Sequence, residues 1–409
     1  MTGFRLSDII KSVCGTKRNM RLKTILSCGT APAFLAAAAC FFSRAAILDD
    51  TGGDNKLKPK KIAVFQKELW VGGIQRSLIN LLTRLDQEKY QVDLFLFDTK
   101  IFYETAFPAN VTVRFLKPFP YFYRLLYFSI VRRFAKKLDL DDEKQYDVAI
   151  DYSSYQHECA VGVMSVRARK RVMWVHNDVE QVRKNEPKYR ALWHFFKSKL
   201  RCYDQFAAVS DGAAEAFRRV SGLEDKPVAV IPNYIDTGEI YRKAEEPIDF
   251  EVAADCCNLC SVGRLCHQKG FDLLLRDFAE AVRQRPDLRL YIIGDGEDRK
   301  KLERLIERLG IAETATILGY QPNPFPYMRK MDAFVLTSRY EGQGMVLWEA
   351  KALGLPVLIP KRLEKYNDGI AGTDDIAGAM CAAVKTEKKP DPLDWYNQAI
   401  SERIEALLQ

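Results

Sequence analysis

The feature that most constrains the fold is an alternation of short apolar segments with longer amphipathic ones, which begins at Lys61 and runs to about residue 360. Each short apolar run predicts a buried strand, and the segments between them carry apolar side chains at helical spacing. Strands that alternate with helices form parallel sheets covered by helices on both faces. The pattern therefore predicts an α/β protein, and 409 residues are enough for two domains.

The first series of strands and helices predicts one doubly wound sheet. Its first strand is expected at 62–65, and a helix follows the pair Gly72 and Gly73, with Ile74, Leu78, Leu81, Leu82 and Leu85 on one face. Six further strands are predicted at 92–97, 111–115, 148–150, 172–175, 206–209 and 228–231.

A second series begins after a predicted hinge at 232–234 and a polar linker at 236–255. Its strands are expected at 259–262, 290–293, 316–318, 333–336 and 356–359. A helix at 298–309 places its leucines on one stripe and ends at Gly310, a good C-cap. We therefore expect two Rossmann-like domains, at 58–235 and 236–392, that face each other across a cleft.

The first 57 residues do not fit this alternation. An apolar stretch at 25–42 follows four basic residues, as in a signal peptide or membrane anchor, but Gly29 and Pro32 interrupt it. We predict a helical extension that packs on the protein or dips into a membrane. A membrane span, a cleaved signal and a flexible tail are the alternatives.

Net charge and cysteine content limit the classes of binding partner that the protein can have. The net charge of +8 suits nucleic acid, an anionic membrane or a phosphorylated substrate, but no block of basic and aromatic residues forms a recognisable RNA- or DNA-reading motif. We therefore expect no nucleic-acid partner. The ten cysteines form no disulfide framework, which is typical of a cytoplasmic protein. Cys257 and Cys260 form half of a zinc motif without a second half, so we expect them to pack in the core, with no metal bound.

Two segments after strands of the second series have the composition of ligand loops. Gly263 lets the backbone approach a ligand closely, and Arg264 and Lys269 offer two cations to a diphosphate. Two solvated surface cations are the alternative. The turn Gly294-Asp295-Gly296 resembles the start of a dinucleotide fingerprint, but Arg299 stands where a third glycine is needed, so an ordinary strand-to-helix turn explains it.

A third segment carries the sharpest signal. Glu341 and Glu349 flank a glycine-bearing loop that opens a helix. Amides at a helix N-terminus bind phosphate, and the helix dipole favours its charge. Glu349, about one turn inside the helix, could then accept hydrogen bonds from ribose hydroxyls, while Glu341 faces a sugar. Two glutamates on a solvated helix face are the alternative.

Taken in order, these segments resemble glycosyltransferase family 4, a retaining family with the two-domain GT-B fold. The resemblance covers about residues 60–360. It rests on the segments at 72–75, 210–211, 231–233, 261–264, 294–296, 318–320 and 341–357.

The resemblance implies a role for each matching residue of the second domain, which would hold a nucleotide-diphosphate sugar as donor. Arg264 and Lys269 would bind the diphosphate and stabilise its departure, in place of the metal that other transferases use. Glu349 would hold the ribose, and Glu341 the transferred sugar. Further donor contacts would come from Gly263, Gly319, Tyr320, Gly344 and Met345.

The first domain would bind the acceptor, a glycan or a lipid-linked sugar. Gly72 and Gly73 would let a loop approach the diphosphate, and His176 would face the donor sugar and the acceptor. Taken alone, a single histidine is more often structural. The leaving phosphate itself is thought to assist the incoming hydroxyl in this family, so we assign no general base. A last helix at 393–409 would cross back to the first domain.

Three departures from the family pattern leave other functions open. Gln343 stands where an aromatic or small residue is common, Trp348 is bulky beside Glu349, and the segment 361–366 lacks the usual glycine-rich stretch ending in a glutamate. The alternatives are a non-catalytic partner or scaffold of the same fold, and another GT-B enzyme such as a phosphorylase or sugar-nucleotide epimerase.

The segment 119–137 mixes aromatic and basic side chains, which suits a helix lying on an anionic membrane. A buried helix with a solvated basic end explains the pattern equally well. With the resemblance, the first hypothesis predicts a cytoplasmic enzyme of surface-polymer synthesis that is peripheral to the inner face of the membrane.

Overall fold

A computed structural model of the chain describes residues 58–409, apart from 71, 100, 102–106, 119–125, 132, 134–143, 155 and 386. The expected extension at 1–57 lies outside the described residues, and so does much of the predicted membrane helix at 119–137. Within the part that is described, no helix combines the length and the apolar character needed to cross a bilayer.

The first sheet has seven parallel strands in the order β3-β2-β1-β4-β5-β6-β7. Its interior strand β1 is buried over most of its length, as expected when helices cover both faces. The strand order reverses between β1 and β4, where ligand crevices open in such sheets. The strands are β1 Lys60–Gln66, β2 Tyr90–Leu96, β3 Val111–Phe115, β4 Gln145–Asp151, β5 Arg167–Val175, β6 Gln205–Ala208 and β7 Val228–Val230.

The second sheet has five parallel strands in the order β10-β9-β8-β11-β12, with its reversal between β8 and β11. The prediction of two parallel sheets in succession is confirmed, and all twelve predicted strands are present, although β4 and β5 begin three and five residues earlier than predicted. The strands are β8 Cys257–Val262, β9 Leu288–Ile293, β10 Ala315–Gly319, β11 Ala333–Val335 and β12 Val357–Leu358. Cys257 and Cys260 are buried in this sheet, as expected.

The helices between the strands bury one apolar face each. In the helix Arg299–Leu309 the buried residues are Leu302, Leu305 and Ile306, and Gly310 ends the helix in the left-handed region at φ 67°. The helices are α1 Gly73–Arg84, α2 Phe128–Val131, α3 His157–Ser165, α4 Val179–Asn185, α5 Pro187–Lys197, α6 Asp211–Ser221, α7 Thr237–Ala244, α8 Phe271–Gln284, α9 Arg299–Leu309, α10 Phe325–Arg329, α11 Met345–Ala352, α12 Ile376–Ala382 and α13 Asp394–Leu408.

The segment predicted as a polar linker, 236–255, contains the helix α7 in its first part. The carboxylate of Asp236 accepts a hydrogen bond from the amide of Glu239 at 3.0 Å and so caps the helix. Ile240 and Ala244 bury one face of α7. The cap and two apolar contacts are enough for two helical turns in a segment of polar composition.

The last helix, α13, packs on the first sheet. The side chain of Asn397 hydrogen-bonds both the amide and the carbonyl of Ile235, at 3.1 and 2.9 Å. Lys170 Nζ donates to the carbonyl of Leu407 at 2.6 Å. The chain therefore returns, after the second sheet, to the first.

Candidate functional site

A cleft of about 850 Å³ opens between the carboxyl ends of the two sheets. Both sheets contribute to its wall, which contains ten of the predicted site residues. Gly319 and Gly344 lie beside wall residues but outside the wall itself. The predicted residues in the wall are Gly72, Gly73, His176, Gly263, Arg264, Lys269, Tyr320, Glu341, Met345 and Glu349.

Lys269 and Glu341 form an ion pair in this wall, with Lys269 Nζ 2.7 Å from Glu341 Oε1. The same carboxylate oxygen accepts a hydrogen bond from Ser338 Oγ at 2.6 Å. The turn that carries Lys269 lies directly against the segment after β11: a Cβ on Gly270 would stand 2.5 Å from the carbonyl oxygen of Thr337. Gly270 also has φ 64°, so a glycine is needed there on two grounds. This close packing holds the cation beside the carboxylate.

The loop 341–344, here called the Glu341 loop, crosses the cleft to touch the first domain. A Cβ on Gly342 would stand only 1.7 Å from the carbonyl oxygen of His176. Asp178 donates its amide to the carbonyl of Glu341 at 3.2 Å, and Ser210 Oγ donates to the carbonyl of Gly342. A glycine is therefore required where the two domains meet.

The start of α11 is hydrogen-bonded within the protein. The amide of Gly344 donates to Asn367 Oδ1 at 3.0 Å, and the amide of Met345 donates to the carbonyl of Gln343 at 3.0 Å. Binding of phosphate or sugar by these two amides remains a prediction, and in the structure as it stands each has an acceptor. Asn367 directly follows the segment 361–366, which departs from the family pattern.

The two other departures, Gln343 and Trp348, contact the last helix. Gln343 Oε1 accepts hydrogen bonds from the amide and the side chain of Asn233, at 2.7 and 2.8 Å, and Gln343 Nε2 donates to the hydroxyl of Tyr396. Trp348 is buried and stacks on Tyr396 with ring centres 4.1 Å apart. These residues join the Glu341 loop to the hinge and to α13.

The segment after Pro360 forms a short 3-10 helix, Lys361–Tyr366, which meets the first domain. The buried hydroxyl of Tyr366 donates to Asp178 Oδ2 at 2.6 Å, and Lys365 Nζ lies 3.6 Å from the same oxygen. Asp178 Oδ1 accepts from the amide of Gln181 and caps α4. The altered segment thus holds the two domains together beside the cleft.

Glu349 lies one turn inside α11 and faces the cleft. Burial raises the pKa of its carboxyl, and the positive charge of Arg76 opposes this rise. Arg76 comes from α1 in the first domain and also lines the cleft. The carboxylate proposed for ribose binding is therefore influenced by a cation from the opposite domain.

His176 follows β5 at the point where the first domain meets the Glu341 loop. Its Nε2 lies 2.8 Å from the carbonyl oxygen of Tyr152, so the neutral ring donates this hydrogen bond. Burial lowers the pKa of His176 to about 3. The imidazole is therefore neutral near pH 7 in the structure as it stands.

Several wall residues were not identified from the sequence as site residues. Arg76 could have been found, because it stands one turn after Gly73 on the helix that follows the glycine pair. Gln75 and Gln268 lie inside motif segments in which no role was assigned to them, and the others are polar residues in loops and helix ends that carry no motif. Where the structure describes the chain, no group of three or more His, Cys, Asp or Glu side chains is placed to hold a metal. The missed residues include Gln75, Arg76, Asn177, Glu186, Tyr189, Gln268 and Gln321.

Two family models match the two halves of this cleft. Residues 71–239 match the model described as Glycosyltransferase Family 4, and residues 254–368 match Glycosyl transferases group 1. Together these segments make up more than half of the chain. The chain belongs to glycosyltransferase family 4. The predicted family and enzyme class, a glycosyltransferase, are confirmed.

Curated relatives share different lengths with this family 4 chain. It is 33% identical over 132 residues to an uncharacterized glycosyltransferase of Methanocaldococcus jannaschii, and 34% identical over 162 residues to the lipopolysaccharide core biosynthesis glycosyltransferase LpsE of Rhizobium meliloti. These matches cover 32% and 39% of this chain, but only 32% and 45% of the two relatives.

A longer match is to an N-acetylgalactosaminyltransferase of Campylobacter jejuni, named for a diphospho-undecaprenol-linked acceptor. It is 27% identical over 354 residues and covers 82% of this chain and 92% of that one. Among solved structures, Anabaena HepE in complex with UDP and glucose is 19% identical, with a TM-score of 0.54, and the match covers 85% of this chain and 100% of that one. The predicted GT-B fold is confirmed.

Proposed function

We propose that this family 4 chain transfers a sugar, with retention of its anomeric configuration, from a nucleoside diphosphate to a glycan or lipid-linked acceptor during synthesis of a surface polysaccharide. The observation that carries the proposal is the cleft in which Arg264, Lys269, Glu341 and Glu349 line one wall and His176 lines the other. Paired cations suit a diphosphate, and carboxylates suit sugar hydroxyls.

In the proposed reaction the bond between the sugar C1 and the phosphate oxygen breaks, and its electron pair leaves with the diphosphate. The acceptor hydroxyl forms the new bond to C1 on the same face, and its proton passes to the departing phosphate oxygen. Arg264 and Lys269 stabilise the charge that develops on that oxygen. No metal is required in this scheme, so chelation with EDTA should leave the transfer rate unchanged.

Glu341 is suited to the sugar because its carboxylate is already held from two sides. Ser338 and Lys269 both contact Oε1. The side chain is 6% exposed, so it is fixed before a ligand arrives. We propose that Glu341 binds a hydroxyl of the transferred sugar while Lys269 extends from the ion pair toward the diphosphate.

The names of the relatives support the choice of substrates. HepE is described with UDP and glucose, the Campylobacter enzyme is named for a lipid-diphosphate acceptor, and the Rhizobium enzyme for lipopolysaccharide core synthesis. We extend these substrate classes to this chain, with a nucleotide sugar as donor and a glycan, free or lipid-linked, as acceptor.

The test is a screen of nucleotide sugars for thermal stabilisation, followed by donor hydrolysis and transfer assays. A true donor should raise the melting temperature by mass action. Glu341→Gln and Lys269→Ala should each reduce turnover by about 100-fold or more, as loss of one charge-stabilising group does elsewhere. Lys300→Ala, an exposed lysine of the same domain, is the matched control and should keep full activity.

If the protein were a non-catalytic scaffold, the wild type itself would show no donor turnover. An epimerase would return an isomerised nucleotide sugar without releasing nucleoside diphosphate, and a phosphorylase would depend on inorganic phosphate. Any of these three results would remove the proposed transferase activity.

We propose further that the first domain rests on an anionic membrane next to the cleft, on the cytoplasmic side where nucleotide sugars are available. The surface between α2 and α5 exposes Tyr127, Ile130 and Tyr189. Tyr127 contacts α5 through His194, with the hydroxyl 2.5 Å from Nε2. Tyr189 also lines the cleft, so this surface continues to its mouth.

Basic side chains surround these aromatic groups. Arg133, Lys188 and Arg190 are exposed. Cations near an anionic bilayer each contribute about 1 kcal/mol, and exposed aromatic rings favour the interface. This arrangement would bring a lipid-linked acceptor to the side of the cleft that His176 occupies.

Vesicle flotation tests the membrane contact. The chain should bind vesicles that contain phosphatidylglycerol, and the pair Lys188→Ala and Arg190→Ala should weaken binding about 30-fold, because two cations together contribute about 2 kcal/mol. The matched control is the pair Lys300→Ala and Lys301→Ala on α9. If the two double variants bound the vesicles equally well, this surface would not be a membrane contact.

A further inference from the structure

Glu186 is a carboxylate of the first domain that lines the cleft at the junction of α4 and α5. Its amide donates to the carbonyl of Val182 at 2.8 Å, and its carbonyl accepts from the amide of Arg190 at 3.1 Å. Pro187 follows it, and the residue before a proline is restricted to an extended backbone, here φ −118° and ψ 96°. The two helices and the proline therefore fix the backbone from which this side chain extends.

The second domain holds the same carboxylate from the other side of the cleft. The hydroxyl of Tyr340 donates to Glu186 Oε1 at 3.0 Å. Tyr340 is 1% exposed, and burial, together with the negative charge of Glu186, raises the pKa of its hydroxyl, so the proton stays on the tyrosine. In the part of the chain that the structure describes, Glu186 Oε2 accepts no hydrogen bond. One oxygen is therefore fixed, and the other is available to a ligand.

Tyr340 also links this carboxylate to the residue proposed to bind the donor sugar. It directly precedes Glu341, and its carbonyl accepts a hydrogen bond from Gln268 Nε2 at 3.2 Å, next to Lys269. The cap of α4 touches the same stretch, because Asp178 donates its amide to the carbonyl of Glu341 at 3.2 Å. The carboxylates of the two domains are thus held through two consecutive residues of the second domain.

The wall beside Glu186 has the chemistry of a sugar subsite. Tyr189 on α5 and Val182 on α4 line the cleft with it, and Tyr189 is 37% exposed, so its ring is accessible. A carboxylate accepts strong hydrogen bonds from hydroxyls, and an aromatic ring covers the C–H face of a sugar. A carboxylate repels phosphate, so an uncharged sugar fits this place better than a phosphorylated group does.

We propose that Glu186 binds a hydroxyl of the acceptor sugar through Oε2, and that Tyr340 is a positioning residue that holds Glu186 for this contact. The inference rests on the proposed function, because it assumes that the second domain holds the donor. Glu186 and Tyr189 come from the first domain, so the group that they contact belongs to the acceptor. The receiving unit is therefore a sugar ring, and a polyol phosphate is a poor acceptor.

The experiment measures how each enzyme divides its donor between an acceptor and water. The donor is the nucleotide sugar found in the thermal screen, and the acceptor probes are the p-nitrophenyl glycosides of glucose, galactose, N-acetylglucosamine and N-acetylgalactosamine. The ratio of transfer to hydrolysis reports the acceptor subsite, because the donor site is common to both reactions. The wild type should glycosylate at least one of these glycosides, and it should not glycosylate glycerol 3-phosphate.

Glu186→Gln should lower the ratio of transfer to hydrolysis about 5- to 10-fold, because a neutral amide accepts a hydrogen bond about half as strong as a carboxylate does. Tyr340→Phe leaves the carboxylate without its partner and should lower the ratio about 3- to 10-fold. In a chain that already carries Glu186→Ala, Tyr340→Phe should not lower the ratio further, because the contact through which it acts is gone. An equal fall in both backgrounds, or no fall in either, would overturn the role of Tyr340.

The control is Glu224→Gln, the same substitution at an exposed residue of the first domain that lies outside the cleft wall. It should keep the wild-type ratio. The same ratio in Glu186→Gln and the wild type, or transfer by the wild type to none of the glycosides, would overturn the inference, while hydrolysis of the donor would leave the proposed donor site standing. If the wild type neither bound nor hydrolysed any nucleotide sugar, the proposed function would fail and the inference with it.

Discussion

An alanine at position 342 tests whether the Glu341 loop must approach the first domain as closely as the structure shows. The added Cβ would stand 1.7 Å from the carbonyl oxygen of His176 and 3.1 Å from the Cα of Asn177. Both are backbone atoms, so no flexible side chain can move aside. Gly342→Ala should therefore push the loop and the first domain apart.

The size of the effect follows from the contacts that separate. Real Cβ atoms essentially never come within 3.0 Å of such an atom, so the surfaces must part by at least about 1.3 Å. The hydrogen bonds from Asp178 and Ser210 to the loop would then be lost or strained. At about 0.5 to 1.5 kcal/mol each, they predict a loss of about 1 to 3 kcal/mol of stability. A displacement of 1 Å at Glu341 predicts about a 100-fold loss of turnover.

Three measurements on Gly342→Ala check this reasoning: melting temperature, nucleotide affinity and the rate of donor turnover. Nucleotide affinity should fall less than turnover, because most of the proposed nucleotide contacts lie within the second domain. The control is Gly238→Ala on α7, where the nearest atom to an added Cβ is 3.5 Å away. Wild-type turnover and an unchanged melting temperature in Gly342→Ala would refute the requirement for close approach.

Three other substitutions test single contacts. Burial lowers the pKa of His176 to about 3, below the usual 6.5, so between these pH values only the unfolded chain binds the proton and the free energy of unfolding falls as the pH drops. His176→Gln should reduce this slope by about 1.4 kcal/mol per pH unit when the free energy of unfolding is measured by urea titration. The same slope in the variant and the wild type would contradict a buried neutral ring. Tyr366→Phe should lower the free energy of unfolding by about 1.5 to 3 kcal/mol, because the buried carboxylate of Asp178 loses a hydrogen-bond donor. The same denaturant midpoint in the variant and the wild type would contradict this hydrogen bond. Tyr396→Phe removes the acceptor of Gln343 Nε2, so hydrogen exchange of the amides at 341–344 should become faster, and unchanged protection would show that the loop is held by other contacts.

The residues proposed to bind the donor could be found from the sequence because each belongs to a local pattern. Arg264 and Lys269 follow the apolar run that becomes β8, and Glu341 follows the run that becomes β11. The carboxyl ends of parallel strands meet at one edge of a sheet, so a position after a strand predicts a position at the cleft. His176 follows β5 for the same reason, although the sequence did not show that its ring is buried and neutral.

The alternation of apolar and amphipathic segments determined two parallel sheets and the approximate ends of their strands, because strand and helix periodicities are properties of neighbouring residues. Only the tertiary structure showed what Gln343, Asn367 and Arg76 contact. Gln343 meets a tyrosine 53 residues away, and Arg76 meets a carboxylate 163 residues away. Such pairs depend on how two sheets and a returning helix pack, and no local pattern in the chain encodes that arrangement.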